Sequence, residues 1–178
     1  RAADRSWLER LAIVWGEKTD NPAQLSQLFD LALRAPQPSH RLWLLLGAGR
    51  EAARTKQVEK ARDYFARAAT LTSSDEPLRE SVKLAPLGQA KDIPVLREAI
   101  ARNPYSALTR RMLSQALMAS GDQQEALREA LESYRLSPLD AGLATLLSEL
   151  YRQRGDAEKT FRYAAEARQI REIFSSEQ

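Results

Sequence analysis

Residues 105–138 read YSALTRRMLSQALMASGDQQEALREALESYRLSP, and residues 139–172 read LDAGLATLLSELYRQRGDAEKTFRYAAEARQIRE. Laid one over the other, the two stretches pair Leu113 with Leu147, Ser114 with Ser148, Gly121 with Gly155, Asp122 with Asp156 and Ala130 with Ala164. The same step of 34 residues carries Pro138 back to Pro104. A fixed period of this length, carried jointly by turn, small and apolar residues, marks stacked helical repeats, in which each unit buries its apolar face only against a neighbour. Each stretch holds two amphipathic runs, 107–120 with 123–136 and 141–154 with 157–173, separated by a Gly-Asp pair. Glycine there can take the left-handed backbone of a helix stop, and the aspartate beside it can cap the next helix.

This pattern resembles the tetratricopeptide repeat, whose signature sets W-x2-L-G-x2-Y on a first helix and A, F, A and then P on a second. Trp43, Leu46 and Gly47, followed by Ala61, Phe65, Ala68 and Ala69, match it within 39–72. Ala61 arrives two residues late there, which we read as a longer turn around 54–57. The 105–138 unit supplies Leu113, Leu117, Gly121, Ala126, Ala130 and Pro138, with Arg110 in the tryptophan place and Ser114 in the small place. The 139–178 unit supplies Leu147, Ser148, Tyr151, Gly155, Ala164 and Ala167, with Thr160 in an alanine place.

Two segments follow the period with poorer motif agreement. In 73–104, Leu96, Ala99 and Pro104 keep register, whereas Pro77, Pro86, Gly88 and Pro94 interrupt it. Proline inside a helix costs roughly 3 kcal/mol. We therefore expect a short helix over 76–84, an irregular connection through Asp92 and a second helix over 93–102. In 1–38, Trp7, Leu8, Leu11 and Trp15, then Leu25, Leu28, Phe29 and Ala32, form a degenerate pair closed by Pro36 and Pro38.

The expected fold is all-α, a right-handed α-α superhelix (a TPR-like solenoid) of about five helical hairpins in one domain, divided 1–38, 39–72, 73–104, 105–138 and 139–178. Tyr163, Ile170, Ile173 and Phe174 read as the far side of an extended last helix that caps the stack or docks on a partner. Trp7, Trp15 and Trp43 fall on apolar helical faces and read as core.

Composition narrows the function. The chain has 27 Lys and Arg against 24 Asp and Glu, a net charge of +3, with neither half strongly basic, so a case for nucleic acid is weak. Cysteine is absent, which removes disulfides and thiolate metal sites. The longest strongly apolar run, Leu42 to Leu46, falls far short of the roughly 20 residues that cross a bilayer, so no membrane insertion is expected of this segment. Opening at Arg1, the chain reads as a piece of something longer, tethered through flanking sequence. The expected setting is that of a soluble domain in a bacterial periplasm or cytoplasm.

Nothing in the sequence assembles a catalytic centre, and no enzyme activity, cofactor or metal is expected. His40, the one histidine, sits at a helix start and reads as a solvent-facing residue. Glu125, Glu129 and Glu132 recur at helical spacing beside Arg128 and Arg135, the ordinary pattern of paired charges on a wet helix face. Gly47 and Gly49 lie in an apolar helix pattern with no lysine-serine or lysine-threonine at phosphate-loop spacing. Arg110-Arg111 reads as one inward-stacked stem and one solvated charge.

The resemblance to the tetratricopeptide repeat implies a concave groove lined by the first helices. Its lining positions fall on Arg41, Leu44, Ala48, Glu51 and Ala52; on Leu108, Arg111, Gln115, Met118 and Ala119; and on Gly142, Thr145, Glu149, Arg152 and Gln153. The carboxylate clamp of the chaperone-binding members is disfavoured, since Leu45, Met112 and Leu146 stand where such a clamp needs polar groups. The reading is a noncatalytic scaffold that holds a peptide segment or helix of another protein in its groove or along its helical edges. Its Ala-, Arg- and Leu-rich composition suggests a bacterial source, and the resemblance implies a place in a secretion, envelope-assembly or polysaccharide-export machine, where similar repeat domains belong. The alternatives are a positioning domain of a larger enzyme or transporter and a direct binder of an anionic polymer, polysaccharide or RNA.

Overall fold

The structure, a computed structural model, describes residues 22–34, 40–84 and 89–175. Trp7, Leu8, Leu11, Trp15, Pro36, Pro38, Pro86 and Gly88 lie outside these residues. Nine α-helices and one short 3-10 turn make up the described elements: α1 (Pro22–Leu33), α2 (Arg41–Arg54), α3 (Val58–Ala69), α4 (Glu76–Lys83), the turn Ala90–Asp92, α5 (Ile93–Arg102), α6 (Ala107–Ser120), α7 (Gln123–Leu136), α8 (Ala141–Gln153) and α9 (Ala157–Ser175). No strand occurs among the described residues.

The helices fall into two compact units, Arg1–Leu84 and Ala85–Gln178, and the division runs through the irregular 73–104 segment. In the first unit, α2 and α3 form a hairpin, with α1 packed on α2 and α4 on α3. Leu25, Phe29, Leu44, Leu45, Leu46 and Phe65 fill its core. In the second unit, α6–α7 and α8–α9 are hairpins, α5 packs on α6, and α7 packs on α8. The expected short helix and irregular connection are present as α4 and the 3-10 turn. Pro77 and Pro94 stand in the first turns of α4 and α5, where a missing N–H costs nothing, so they start these helices instead of breaking them.

The two sequence-identical turns are built alike. Gly121 and Gly155 have φ of 90° and 75°, and the amides that follow them, Asp122 and Asp156, donate to Leu117 and Tyr151 carbonyls at 3.0 Å each. Asp122 then caps α7 by accepting from the Glu125 amide at 3.0 Å, and Asp156 caps α9 through the Lys159 amide at the same distance. The serine in the small place is also explained. Ser114 Oγ donates to the Ala126 carbonyl at 2.8 Å, and Ser148 Oγ donates to the Thr160 carbonyl at 3.0 Å, so each hydroxyl clasps the second helix of its own hairpin.

The first hairpin corrects the register taken from Trp43. Its turn is no longer than the others: Lys56 takes the left-handed place (φ 60°), and the Gln57 amide donates to Ala52 at 2.8 Å, as Asp122 and Asp156 do to their helices. Gly49, and not Gly47, packs on Phe65, while Gly47 faces Phe29 of α1. Gly49 thus shares the place of Ser114 and Ser148, and the whole of α2 is displaced by two residues from the signature match. Two residues are about 200° of helical rotation, which exchanges the inner and outer faces. Trp43, expected in the core, is therefore 56% exposed, whereas Leu44 is fully buried.

Candidate functional site

The exposed faces of the first helices form the candidate site, one set in each unit. On α2, Trp43, Arg50 and Arg54 are exposed along one stripe, which Gly47 interrupts. Arg50 reaches α4, its Nη2 donating to Glu76 Oε1 at 2.5 Å. Arg54 holds Glu51 through two hydrogen bonds, at 3.0 and 2.9 Å. The stripe therefore presents one large apolar ring beside arginines whose charge is already offset.

The two-residue slip removes most of the positions expected on α2. Leu44, Ala48 and Ala52 are core residues, and Glu51 is buried at 6% exposure, its carboxylate turned to Arg54. None of the four can meet a partner. Arg41 is exposed, but nearly half a turn of rotation from Trp43, Arg50 and Arg54. Sequence reasoning missed Trp43, Arg50 and Arg54 because W-x2-L-G is matched literally by Trp43, Leu46 and Gly47. Counting back from Ala61, Phe65 and Ala68 would have found them.

In the second unit the register holds, and the structure brings the expected residues to adjacent helices. Leu108, Gln115 and Met118 are half-buried and Ala119 is exposed on α6; Gly142, Thr145, Arg152 and Gln153 are exposed on α8. Arg111 is not a free clamp: its Nη1 donates to Asp140 Oδ2 at 2.8 Å, while Asp140 Oδ1 caps α8 by accepting from the Gly142 and Leu143 amides at 2.8 and 3.2 Å. Arg110 is paired too, its Nη1 lying 2.6 Å from Glu129 Oε2, so neither member of the Arg110-Arg111 pair is a solvated charge. Thr145 accepts from Arg171 of α9 at 2.9 Å. Glu149 takes two bonds from Arg152, at 2.8 and 2.6 Å, and one from Gln153 at 2.9 Å. The arginine beside it, and then the glutamine, hold the Glu149 carboxyl down to about 2.

Beside this face, an open cleft of about 790 Å³ lies between the start of α8 and the end of α9, walled by Leu139, Ile170 and Phe174 with Arg171 at its edge. His40 precedes α2 and is half-buried; its carbonyl accepts from the Leu44 amide at 3.0 Å. Tyr163 and Ile170, expected on the far side of the last helix, are buried. Ile173 and Phe174 are exposed. No cluster of three metal-ligating side chains occurs among the described residues, and no helix there is long and apolar enough to cross a membrane.

Hairpins with these caps, small-residue contacts and turns define a TPR-like α-helical fold. Solved structures with the same fold include a MamA double mutant (RS-1), at TM-score 0.85 and 15% identity over 97% of this chain and 98% of that one. MamA 41-end from Desulfovibrio magneticus RS-1 aligns at TM-score 0.81 and 15% identity over 96% and 97%. YrrB, described as a TPR protein with an unusual peptide-binding site, aligns at TM-score 0.69 and 20% identity over 84% and 77%. No protein-family model matches the sequence, and no curated protein matches it.

Proposed function

We propose that this chain is a noncatalytic protein-interaction scaffold whose units each bind an extended segment of another protein on the exposed faces of their own first helices. In the first unit, Trp43 is the apolar anchor. The observation that carries this reading is the exposure of Trp43 on a helix whose neighbouring leucines, Leu44, Leu45 and Leu46, are all buried. A rigid aromatic left at the surface is the residue type that dominates binding energy at protein interfaces. In the second unit, the mixed surface of Leu108, Gln115 and Met118 on α6 with Thr145, Glu149 and Arg152 on α8 offers hydrogen-bonding and apolar contacts to the same kind of ligand. The likeness in fold to YrrB, with its peptide-binding site, supports a peptide as the ligand class.

An anionic polymer is a poorer ligand for these faces, because Arg50, Arg54, Arg111 and Arg152 each already hold a carboxylate. The Ala-, Arg- and Leu-rich composition suggests a bacterial source, and the resemblance to repeat domains of secretion, envelope-assembly and polysaccharide-export machines supports a place in such a machine, in the periplasm or the cytoplasm. Peptides selected from a display library on the wild-type protein provide the test. Trp43→Ala should weaken the selected peptides by at least about tenfold, the usual cost of truncating a central interface aromatic, with an unchanged circular dichroism spectrum. Undiminished affinity in that variant would remove the α2 face from the site.

A further inference from the structure

Successive second helices within each unit are tied to one another by polar side chains. Asp30 of α1 accepts from Tyr64 Oη at 2.8 Å and from Lys60 at 3.2 Å, both on α3. Arg97 of α5 holds Glu125 of α7 at 2.7 Å, and the Tyr134 hydroxyl of α7 donates to Glu166 of α9. The repeat therefore shows what each second helix presents to the element that stacks on it.

Of these presenting places, that of Tyr134 keeps a polar side chain on α9, and it is exposed there, as is the place of the apolar Leu127. Arg168 stands where α7 has Tyr134, and Phe161 stands where α7 has Leu127. Leu127 is 8% exposed on a helix that packs against α8, whereas Phe161 is 77% exposed. Ala164 and Arg171 lie on the same outer side as Phe161 and Arg168, and all four are exposed. Most described arginines hold a carboxylate, but Arg168 has none among the described residues, and Arg171 donates to the Thr145 hydroxyl. An aromatic ring with uncompensated positive charge beside it is thus the α9 counterpart of a face that is covered one repeat earlier.

We propose that the outer face of α9 docks an amphipathic, carboxylate-bearing helix of another protein, seating an apolar side chain on Phe161 and a carboxylate at Arg168. The internal contact continues outward in kind: on α7 the group at the place of Arg168 meets the Glu166 carboxylate. Phe161 and Arg168, which carry this proposal, are not among the first-helix residues, which this face meets through the Arg171–Thr145 hydrogen bond, and the variants below test them apart from those residues.

Fluorescence anisotropy with the intact chain and two synthetic amphipathic helices tests it. The two helices share one leucine stripe and differ only in carrying glutamate or glutamine beside it. The glutamate helix should bind, and the glutamine helix should bind at least about tenfold more weakly. Phe161→Ala should cost about tenfold, as truncating a buried interface aromatic does. Arg168→Glu should abolish the preference for glutamate and transfer it to a lysine-bearing version of the helix. Trp43→Ala should leave all of these affinities unchanged. Equal affinity for the glutamate and glutamine helices, indifference to Phe161→Ala, or no binding of either helix would overturn the proposal. Both substituted side chains are exposed, so circular dichroism should report intact helices in each variant.

Discussion

Gly49 has no room for a methyl group, because a Cβ placed on it would stand 2.6 Å from Cε1 of the buried Phe65 ring. In the next two hairpins the small place holds Ser114 and Ser148, and the place of Phe65 holds Ala130 and Ala164. Glycine thus faces phenylalanine in the first hairpin, whereas the buried Ala130 goes with the larger Ser114 in the next, a trade of volume between the two places. Gly49→Ala should destabilise the protein by about 1–3 kcal/mol through overpacking, although the same change on an exposed helix would stabilise by about 1 kcal/mol. Urea unfolding of Gly49→Ala, and of Gly49→Ala with Phe65→Leu, checks this: the second substitution should recover part of the loss.

Lys56 occupies the left-handed place that glycine fills in the two other complete hairpins, at φ 60°. A side chain there costs roughly 1–2 kcal/mol. Lys56→Gly should therefore raise the stability of the first unit by about 1 kcal/mol, and Gly121→Ala should lower that of the second by a similar amount. Thermal unfolding of the two variants would show opposite shifts.

Arg110 and Glu129 form a largely shielded ion pair, their side chains 15% and 11% exposed. Glu129 also lies 3.6 Å from Arg128, but without Glu129 the Arg110 guanidinium is left with the Pro104 carbonyl and no ion-pair partner among the described residues. Glu129→Ala should cost about 3 kcal/mol or more, whereas replacing both partners by apolar residues of similar volume should cost far less. A double-mutant cycle in urea measures the difference.

Alkaline pH should weaken the protein. Burial, and then the hydrogen bond to Glu166, push the Tyr134 hydroxyl up to about 12; burial also leads the upward shifts of Tyr64 and Tyr163. A tyrosine whose folded pKa is raised contributes stability that is complete below its unfolded value near 10 and is lost as pH rises through the folded value. Unfolding free energy should thus fall between about pH 10 and pH 12, and Tyr134→Phe should flatten part of that fall. At the acid end, Glu149 should remain ionised until about pH 2, as its carboxyl carbon shift would report. Arg152→Ala should move its titration up toward the ordinary carboxylate range.

The repeat was legible wherever independent signals agreed. Gly121-Asp122 and Gly155-Asp156 set two turns, and the apolar spacing on either side placed α6 and α7 at the observed bounds and α8 and α9 within two residues of them. Even the irregular segment gave up α4 and α5, because Pro77 and Pro94 restrict where a helix can begin. Which face of the first helices looks outward was legible only in the second unit, where the register is carried by the duplicated turn. In the first, two glycines two residues apart both fit the small place. Which arginines were free was not legible either, since Arg111 finds Asp140 and Arg50 finds Glu76 only once helices distant in sequence lie side by side.

Period, turn chemistry and apolar spacing are local properties of the chain, and they alone determined that this protein is a run of helical hairpins. Which face of α2 looks outward was decided by tertiary packing. The rings of Phe29 and Phe65 bear on Gly47 and Gly49 from neighbouring helices, and that contact turns Leu44 into the core and Trp43 out of it. The deciding energy is shape complementarity between elements, which no single helix encodes.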